Sequence, residues 1–291
     1  MKWTLALAQT RPTKGDLESN LDAIAAAALQ AAEESAELVV FPESAATGYY
    51  LEDGVGKHSM SADELLDGLA KRTASLERPL DVLVGFYERA DGQPFNSASY
   101  MELGSRPRTV HVYRKFFLPT YGMFDEERHH RAGNDLGVFD SRLGRMGVLI
   151  CEDVWHSTLG AMLAMSGAEY VLVPTASPTR GLAGDRPGNV LRYERMLRAL
   201  SEEHGVYSAA AMLCGFEGGK GLSGGSVCFD PFGEKAVQAD LFDPALLIAD
   251  IDPQKIVEAR RATPLLDDLR TSWPRLTSAF RNGPGSDTAA G

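Results

Sequence analysis

The chain has 291 residues, of which 44% are hydrophobic and 24% charged, and carries a formal net charge of −11. That length can bury a core large enough to need no staples, and the acidic balance argues against nucleic acid or an anionic membrane as the main partner, because both need clustered Lys and Arg. Three widely spaced cysteines, with no CxxC pair and no Cys/His cluster of zinc spacing, argue against a disulfide framework and a metal centre and point to a reducing compartment.

At the N-terminus, a single lysine precedes an apolar run of about eight residues in MKWTLALAQTRP. The run is too short to span a bilayer, and no small-residue cleavage site follows it, so the expected location is cytoplasmic. WTLALAQ reads as a first strand buried on both faces. GDLESNLDAIAAAALQAAEESA follows with apolar residues at helical spacing. ELVVFPE reads as a strand stopped at Pro42, Ser61 to about Glu77 as a helix, and DVLVGFYE, FNSASYMEL and TVHVYRKF as strands. RMGVLI, ahead of Cys151, is another strand. STLGAMLAMSGA is a short helix with Gly167 at its end, EYVLVPTASP a strand, NVLRYERMLRALSEEHG a helix and VYSAAAML a strand. SGGSVCFDPFGE and ALLIADID complete the sheet-forming sequence. Alternating helices and strands with some strands back to back predict an α/β fold with mixed sheets, and about a dozen strands fit two sheets packed face to face under helices. No linker or repeat divides the chain. Residues 1–275 are expected to form one domain and residues 276–291, which end in RNGPGSDTAAG, a flexible tail.

Three chemically capable residues sit where strands end: Glu43 after ELVVFP, Lys115 after VHVYR and Cys151 after RMGVLI. Ligands of α/β folds bind at such ends. If the three strands are neighbours, the side chains meet in one pocket, a condition the sequence leaves open. A carboxylate beside a thiol opposes thiolate formation, so Cys151 flanked by Glu152 and Asp153 is either inert or relies on groups from elsewhere. Glu43 can take the thiol proton and pass it to a leaving amine. Lys115 can hold charge and stabilise an oxyanion, with the backbone N–H of Glu152 as second donor. That set suits attack on an amide or nitrile carbon through a thioester. Taken singly, each residue has a plainer reading: a buried inert thiol, a solvated loop acid, an edge-strand cation. Cys214 and Cys228 have no flanking partner and read as structural.

FPES, YRKFFLP and CEDVW, in that order, resemble the glutamate, lysine and nucleophile motifs of the nitrilase, or carbon–nitrogen hydrolase, superfamily. The resemblance runs from ALAQTRPTKGDLESNLDAI to IADID. It implies an α-β-β-α sandwich, Glu43 as general base, Lys115 as oxyanion-side cation and Cys151 as nucleophile. It also implies homodimers or higher homo-oligomers, and neither cofactor nor metal. A second glutamate of that family matches Glu126 in FDEER, which would orient Lys115. FPESAATGYYLED and YRKFFLPTYGMFDEERHHRAG are similar to the glutaminase domain of glutamine-dependent NAD synthetase. That resemblance implies Tyr121 and Phe124 as pocket lining, with Glu152 and Ser177 near the substrate. The synthetase's SGGxDS loop is not matched: LSGGSVCF lacks the aspartate and reads as a Gly-rich turn into a strand near the pocket rim. ATP is therefore not an expected ligand, and the chain reads as free-standing.

The reading that follows is an amidase releasing ammonia from a small linear carboxamide. Glutamine or another ω-amide is a candidate, and Arg180 or Arg186 in SPTRGLAGDRPGN is a candidate for a substrate carboxylate. Alternatives are a glutaminase subunit serving a separate synthetase, a nitrilase (disfavoured because the nucleophile motif is CED rather than CWE), a catalytically silent binding or regulatory protein, and a Cys151 redox sensor.

Overall fold

The computed structural model describes residues 1–51, 54–183 and 186–282. Neighbouring residues of a strand point to opposite faces, and the first strand, Trp3–Gln9, shows what this does here. Leu5 and Leu7 enter a core shared by two sheets, whereas Ala6 and Ala8 enter a second core beneath helices Leu17–Glu33 and Ala62–Arg72. The small side chains of Ala25, Ala28 and Ala31 bring the first helix close to that outer face. Both helices begin on the residues their sequences offer: Asp16 accepts the Ser19 N–H, and Ser61 and Glu64 form a reciprocal capping box.

Each large sheet has six strands. Across the first the order is Ala245–Ile251, Trp3–Gln9, Leu38–Val40, Leu80–Ala90, Gln93–Leu103 and Arg108–Arg114. Its middle strands, Trp3–Gln9, Leu38–Val40 and Leu80–Ala90, are parallel and its edges antiparallel. The second sheet repeats this plan: Lys235–Gln238, Val227–Phe229, Tyr207–Met212, Tyr170–Thr175, Gly144–Val148 and Gly137–Ser141, with the third to fifth parallel. Helices Ser157–Met165 and Gly188–His204 cover its outer face through Leu159, Leu163, Leu197 and Leu200. The architecture is therefore the expected α-β-β-α sandwich of two mixed sheets. Because each sheet points its parallel strands the same way, the carboxyl ends of several strands gather at one end.

Some expectations need correcting. The helix expected from Ser61 to Glu77 ends at Arg72, where Thr73 closes it on the Leu69 carbonyl. Strand Gly137–Ser141 and the hairpin Cys214–Glu217 with Lys220–Ser223 were not foreseen. Residues 276–282, expected in a flexible tail, continue the helix Leu265–Asn282. Leu266, Leu269, Trp273, Leu276 and Phe280 recur at spacings of three and four, and Arg270 donates to the Ala164 carbonyl at 3.0 Å. Residues 283–291 lie outside the described residues. The SGG segment is the predicted turn. Gly224 and Gly225 have φ of +65° and +89°, and the amides of Gly225 and Ser226 donate to Gln9 Oε1. Among the described residues no helix is long and apolar enough to cross a membrane.

Candidate active site

Glu43 follows the short strand Leu38–Val40, and its loop crosses directly over Gly85. A Cβ at Gly85 would lie 2.3 Å from the Pro42 carbonyl oxygen and 2.6 Å from Glu43 Cα, so only glycine permits the crossing. Lys115 comes directly after strand Arg108–Arg114, and its amide donates to the Asn96 carbonyl at 2.8 Å. Glu126 opens the short helix Glu126–His129. Cys151 opens a tight turn three residues beyond strand Gly144–Val148. Its φ is +50°, and that of Ser44, beside Glu43, is +55°. Left-handed backbone at non-glycine residues is strained and must be held by its surroundings.

Asp153 supplies much of that hold. Its fully buried carboxylate accepts the Ile150 N–H at 3.0 Å, the Phe117 N–H at 2.8 Å, the Phe116 N–H at 3.2 Å and the Tyr113 hydroxyl at 2.8 Å. One carboxylate thus fastens the nucleophile turn to the end of the Lys115 strand. Burial pushes its pKa up to about 6, against the pull of these donors.

The side chains left as separate strand ends by the sequence converge. Lys115 Nζ lies 2.8 Å from Glu43 Oε1 and 2.7 Å from Glu126 Oε1, with Lys115 and Glu43 fully buried and Glu126 nearly so. Asn96 Nδ2 donates to Glu43 Oε1 at 2.8 Å, and the Ala176 N–H donates to Glu43 Oε2 at 2.7 Å. The Tyr49 hydroxyl donates to Glu126 Oε1. Ala176 also links base and thiol, since its carbonyl lies 3.9 Å from Cys151 Sγ. The Tyr193 hydroxyl lies 3.1 Å from the same sulfur.

The electrostatics follow from two carboxylates sharing one ammonium in a dry site. Burial, then the charge of Glu43, raises the Cys151 pKa well above its ordinary value, with Lys115 and the Tyr193 bond opposing. The resting nucleophile is therefore a thiol that needs a base. Burial is the largest influence on Lys115 and pulls its pKa down, but Glu126 and Glu43 together overcome it and hold the ammonium charged. Burial, with Glu43 adding and Lys115 opposing, pushes Glu126 up to about 7. Burial and then Lys115 push His130 down to about 3, so it packs as a neutral ring against Tyr87.

Of the expected pocket residues, Glu152 directly follows Cys151 in its turn, and Phe124 packs on Tyr49, whose hydroxyl donates to Glu126. The Tyr121 hydroxyl donates to Glu152 Oε2 at 2.8 Å, and Phe124 meets Tyr49 and Tyr121 edge-on. The Ser177 hydroxyl accepts from Asn189 Nδ2 at 3.1 Å. The two arginines of this region part company. Arg186 pairs with Glu194 and is committed to that bond, whereas Arg180 lies over Phe124 at 5.0 Å and has no carboxylate partner among the described residues. Beside it an open cleft of about 610 Å³ is lined by Tyr121, Glu152, Trp155, Arg180, Asn189 and Arg192. Cys214 and Cys228 are buried free thiols against the Thr10 and Phe229 carbonyls.

Asn96, Tyr49, Tyr193 and the Ala176 backbone escaped the sequence reading. A polar Asn96 inside the strand FNSASYMEL was the one visible signal, since a buried amide needs partners. The other three are ordinary residues until the sheets pack.

The family model described as carbon-nitrogen hydrolase matches residues 4–261. A glutamine-dependent NAD(+) synthetase of Acinetobacter baylyi is 29% identical over 282 residues, covering 96% of this chain and 50% of the synthetase. The chain thus spans about half the length of that relative. A Pseudomonas protegens protein named "Hydrolase in pqqF 5'region" is 30% identical over 275 residues, covering 91% of this chain and 88% of its own. A structure of an amidase from Nesterenkonia sp. AN1, showing Michael addition of acrylamide at the active site cysteine, superposes with a TM-score of 0.72 at 27% identity, covering 93% and 99% of the two chains. The chain belongs to the carbon–nitrogen hydrolase family of the nitrilase superfamily and is a hydrolase acting on carbon–nitrogen bonds.

Proposed function

We propose that the protein is an amidase that hydrolyses a small linear carboxamide to a carboxylic acid and ammonia through a thioester on Cys151. The observation that carries this reading is the buried Glu43–Lys115–Glu126 cluster, with Lys115 Nζ 2.8 and 2.7 Å from the two carboxylates, beside a thiol kept protonated by its surroundings. As Cys151 Sγ bonds to the amide carbon, its proton passes to Glu43. The oxyanion is met by Lys115 Nζ and the Glu152 N–H. Glu43 returns the proton to the departing nitrogen, the C–N bond breaks, and ammonia leaves with the acyl group held on sulfur. Water then gives a proton to Glu43 and attacks the thioester. The acid leaves, and Cys151 recovers its proton. Glu126 orients Lys115. Tyr121, Phe124, Glu152 and Ser177 surround the acyl group, and Arg180 favours an amide with a carboxylate at its far end, such as glutamine.

Ammonia release over a panel of amides, with and without an α-amino acid head group, tests the reading. Release that is lost in Cys151→Ala is the expected result. No ammonia from any amide, with Cys151 reduced and intact, would sink it. A second reading, a glutaminase supplying ammonia to a separate synthetase, is supported by the match to half of the NAD synthetases. It expects glutamine turnover to rise when a synthetase is added, and a rate indifferent to any synthetase would count against it. The completeness of the cluster argues against a silent binding protein.

A further inference from the structure

The structure puts a second group on the reacting sulfur, besides the Ala176 carbonyl. Tyr193 projects from helix Gly188–His204 with its ring fully buried, tilted against Trp155 at 5.5 Å between centroids. Its hydroxyl lies 3.1 Å from Cys151 Sγ, and among the described residues this sulfur is the hydrogen-bond partner found for it. A phenol with that single partner is a costly way to fill the space. Phenylalanine would occupy the same volume without burying a hydroxyl, and a neutral thiol is a weak acceptor. The bond becomes strong only when the sulfur carries negative charge, because hydrogen bonds to an ionised acceptor are about twice as strong as neutral ones.

We propose that Tyr193 is a catalytic residue that donates a hydrogen bond to the Cys151 sulfur while that sulfur is anionic, on attack and again on departure from the thioester. The proposal rests on the amidase reading. In the attack, the S–H bond breaks, its proton goes to Glu43, and the new C–S bond forms; Tyr193 keeps its own proton throughout. Burial holds the Tyr193 phenol well above its ordinary pKa, so it remains a donor. In deacylation the C–S bond breaks and the electron pair returns to a sulfur already facing the Tyr193 hydroxyl, until the proton on Glu43 is passed back. The interaction is thus stronger in the charged states than at rest, the condition for lowering a barrier rather than tightening binding.

The test reads the sulfur rather than turnover, so it stands apart from the amidase reading. The rate of Cys151 alkylation by iodoacetamide is followed against pH in wild type and Tyr193→Phe, with peptide mapping to confirm the site. Loss of one charge-assisted hydrogen bond should slow alkylation about 10-fold at a given pH below the midpoint and move the midpoint up by about one unit. On any amide the wild type turns over, kcat should fall about 10- to 100-fold with little change in KM. Coincident alkylation profiles would overturn the proposal, as would a change in Tm with no change in the profile. If Tyr193→Phe does not fold, 3-fluorotyrosine at position 193 is the second probe. It is a stronger donor of nearly the same shape and should shift the profile down, and an unmoved profile again refutes the role.

Discussion

Two buried ionic clusters sit at opposite ends of the same sheet strands, and they are built on different principles. At the amino end of strand Leu80–Ala90, Asp81 is fully buried and accepts the Arg142 Nε–H at 2.7 Å and the Tyr100 hydroxyl at 2.6 Å. Arg142 reaches solvent with part of its side chain and also donates to the Glu37 and Pro79 carbonyls. Asp81 thus has a cation of its own, held in place by two backbone carbonyls, with Glu37 Oε1 a further 3.9 Å from Arg142 Nη1. At the carboxyl ends, Lys115 stands fully buried between Glu43 and Glu126. Two anions share one cation, and Glu126 rises to about 7 as a result of burial and its neighbour Glu43. Buried ion pairs in general add little net stability. The balanced pair locks a strand start to the loop Arg142 belongs to. The unbalanced trio stores unsatisfied charge beside a thiol, which proton transfer can use.

The largest expected effects break the trio. Cys151→Ala should reduce turnover by at least ~10⁴-fold with the fold retained, since it removes a small side chain at a pocket; steady-state rates and far-UV circular dichroism check both halves. Lys115→Ala should cost about 10³-fold in kcat and, by leaving two buried carboxylates without their cation, about 3–5 kcal/mol of stability, readable by urea unfolding. Substantial activity in either variant would remove the residue from the mechanism.

Breaking the balanced pair should show the reverse. Arg142→Ala should cost about 2 kcal/mol of stability, because Asp81 keeps only the Tyr100 hydroxyl, while kcat of the folded fraction stays within about twofold. A matching loss of kcat would mean that the two ends are coupled.

Smaller effects lie in pH. The kcat/KM of the wild type should rise through an apparent pKa near 7 that belongs to the coupled trio, as Glu126 ionises and takes up Lys115. Glu126→Gln should abolish that limb, and an unchanged limb would assign it elsewhere. Asp153 titrates in the fold at about 6 instead of its ordinary 3.8. A raised carboxyl pKa contributes stability in full below the unfolded value and loses it as pH climbs through the folded one. The Tm advantage of wild type over Asp153→Asn should therefore be widest near pH 4 and narrow by pH 7. A gap constant with pH would contradict the shift.

What the sequence made legible follows from where each kind of information resides. Glu43, Lys115 and Cys151 could be picked out because each stands just past a strand, and strand periodicity is local. That their strands end at one place depends on sheet order, which joins residues as far apart as Glu43 and Ala176. Asn96 sits mid-strand, and its amide reaches Glu43 only once Gln93–Leu103 lies between Leu80–Ala90 and Arg108–Arg114. Tyr193 looked like one apolar position of an amphipathic helix, and nothing local distinguishes a ring that packs from one whose hydroxyl meets a thiol. The end of the C-terminal helix was missed although its apolar spacing continues past Pro274 to Phe280. Arg186 and Arg180 were indistinguishable in a loop-like segment, and only the position of Glu194 on the next helix separates them.

Intact-protein mass spectrometry of enzyme quenched during turnover tests the thioester chemistry most directly. An amide that releases ammonia should leave its acyl group on the peptide carrying Cys151, labile to hydroxylamine and absent from Cys151→Ala. Sustained ammonia release by Cys151→Ala, or an acyl group found on any other residue, would contradict it.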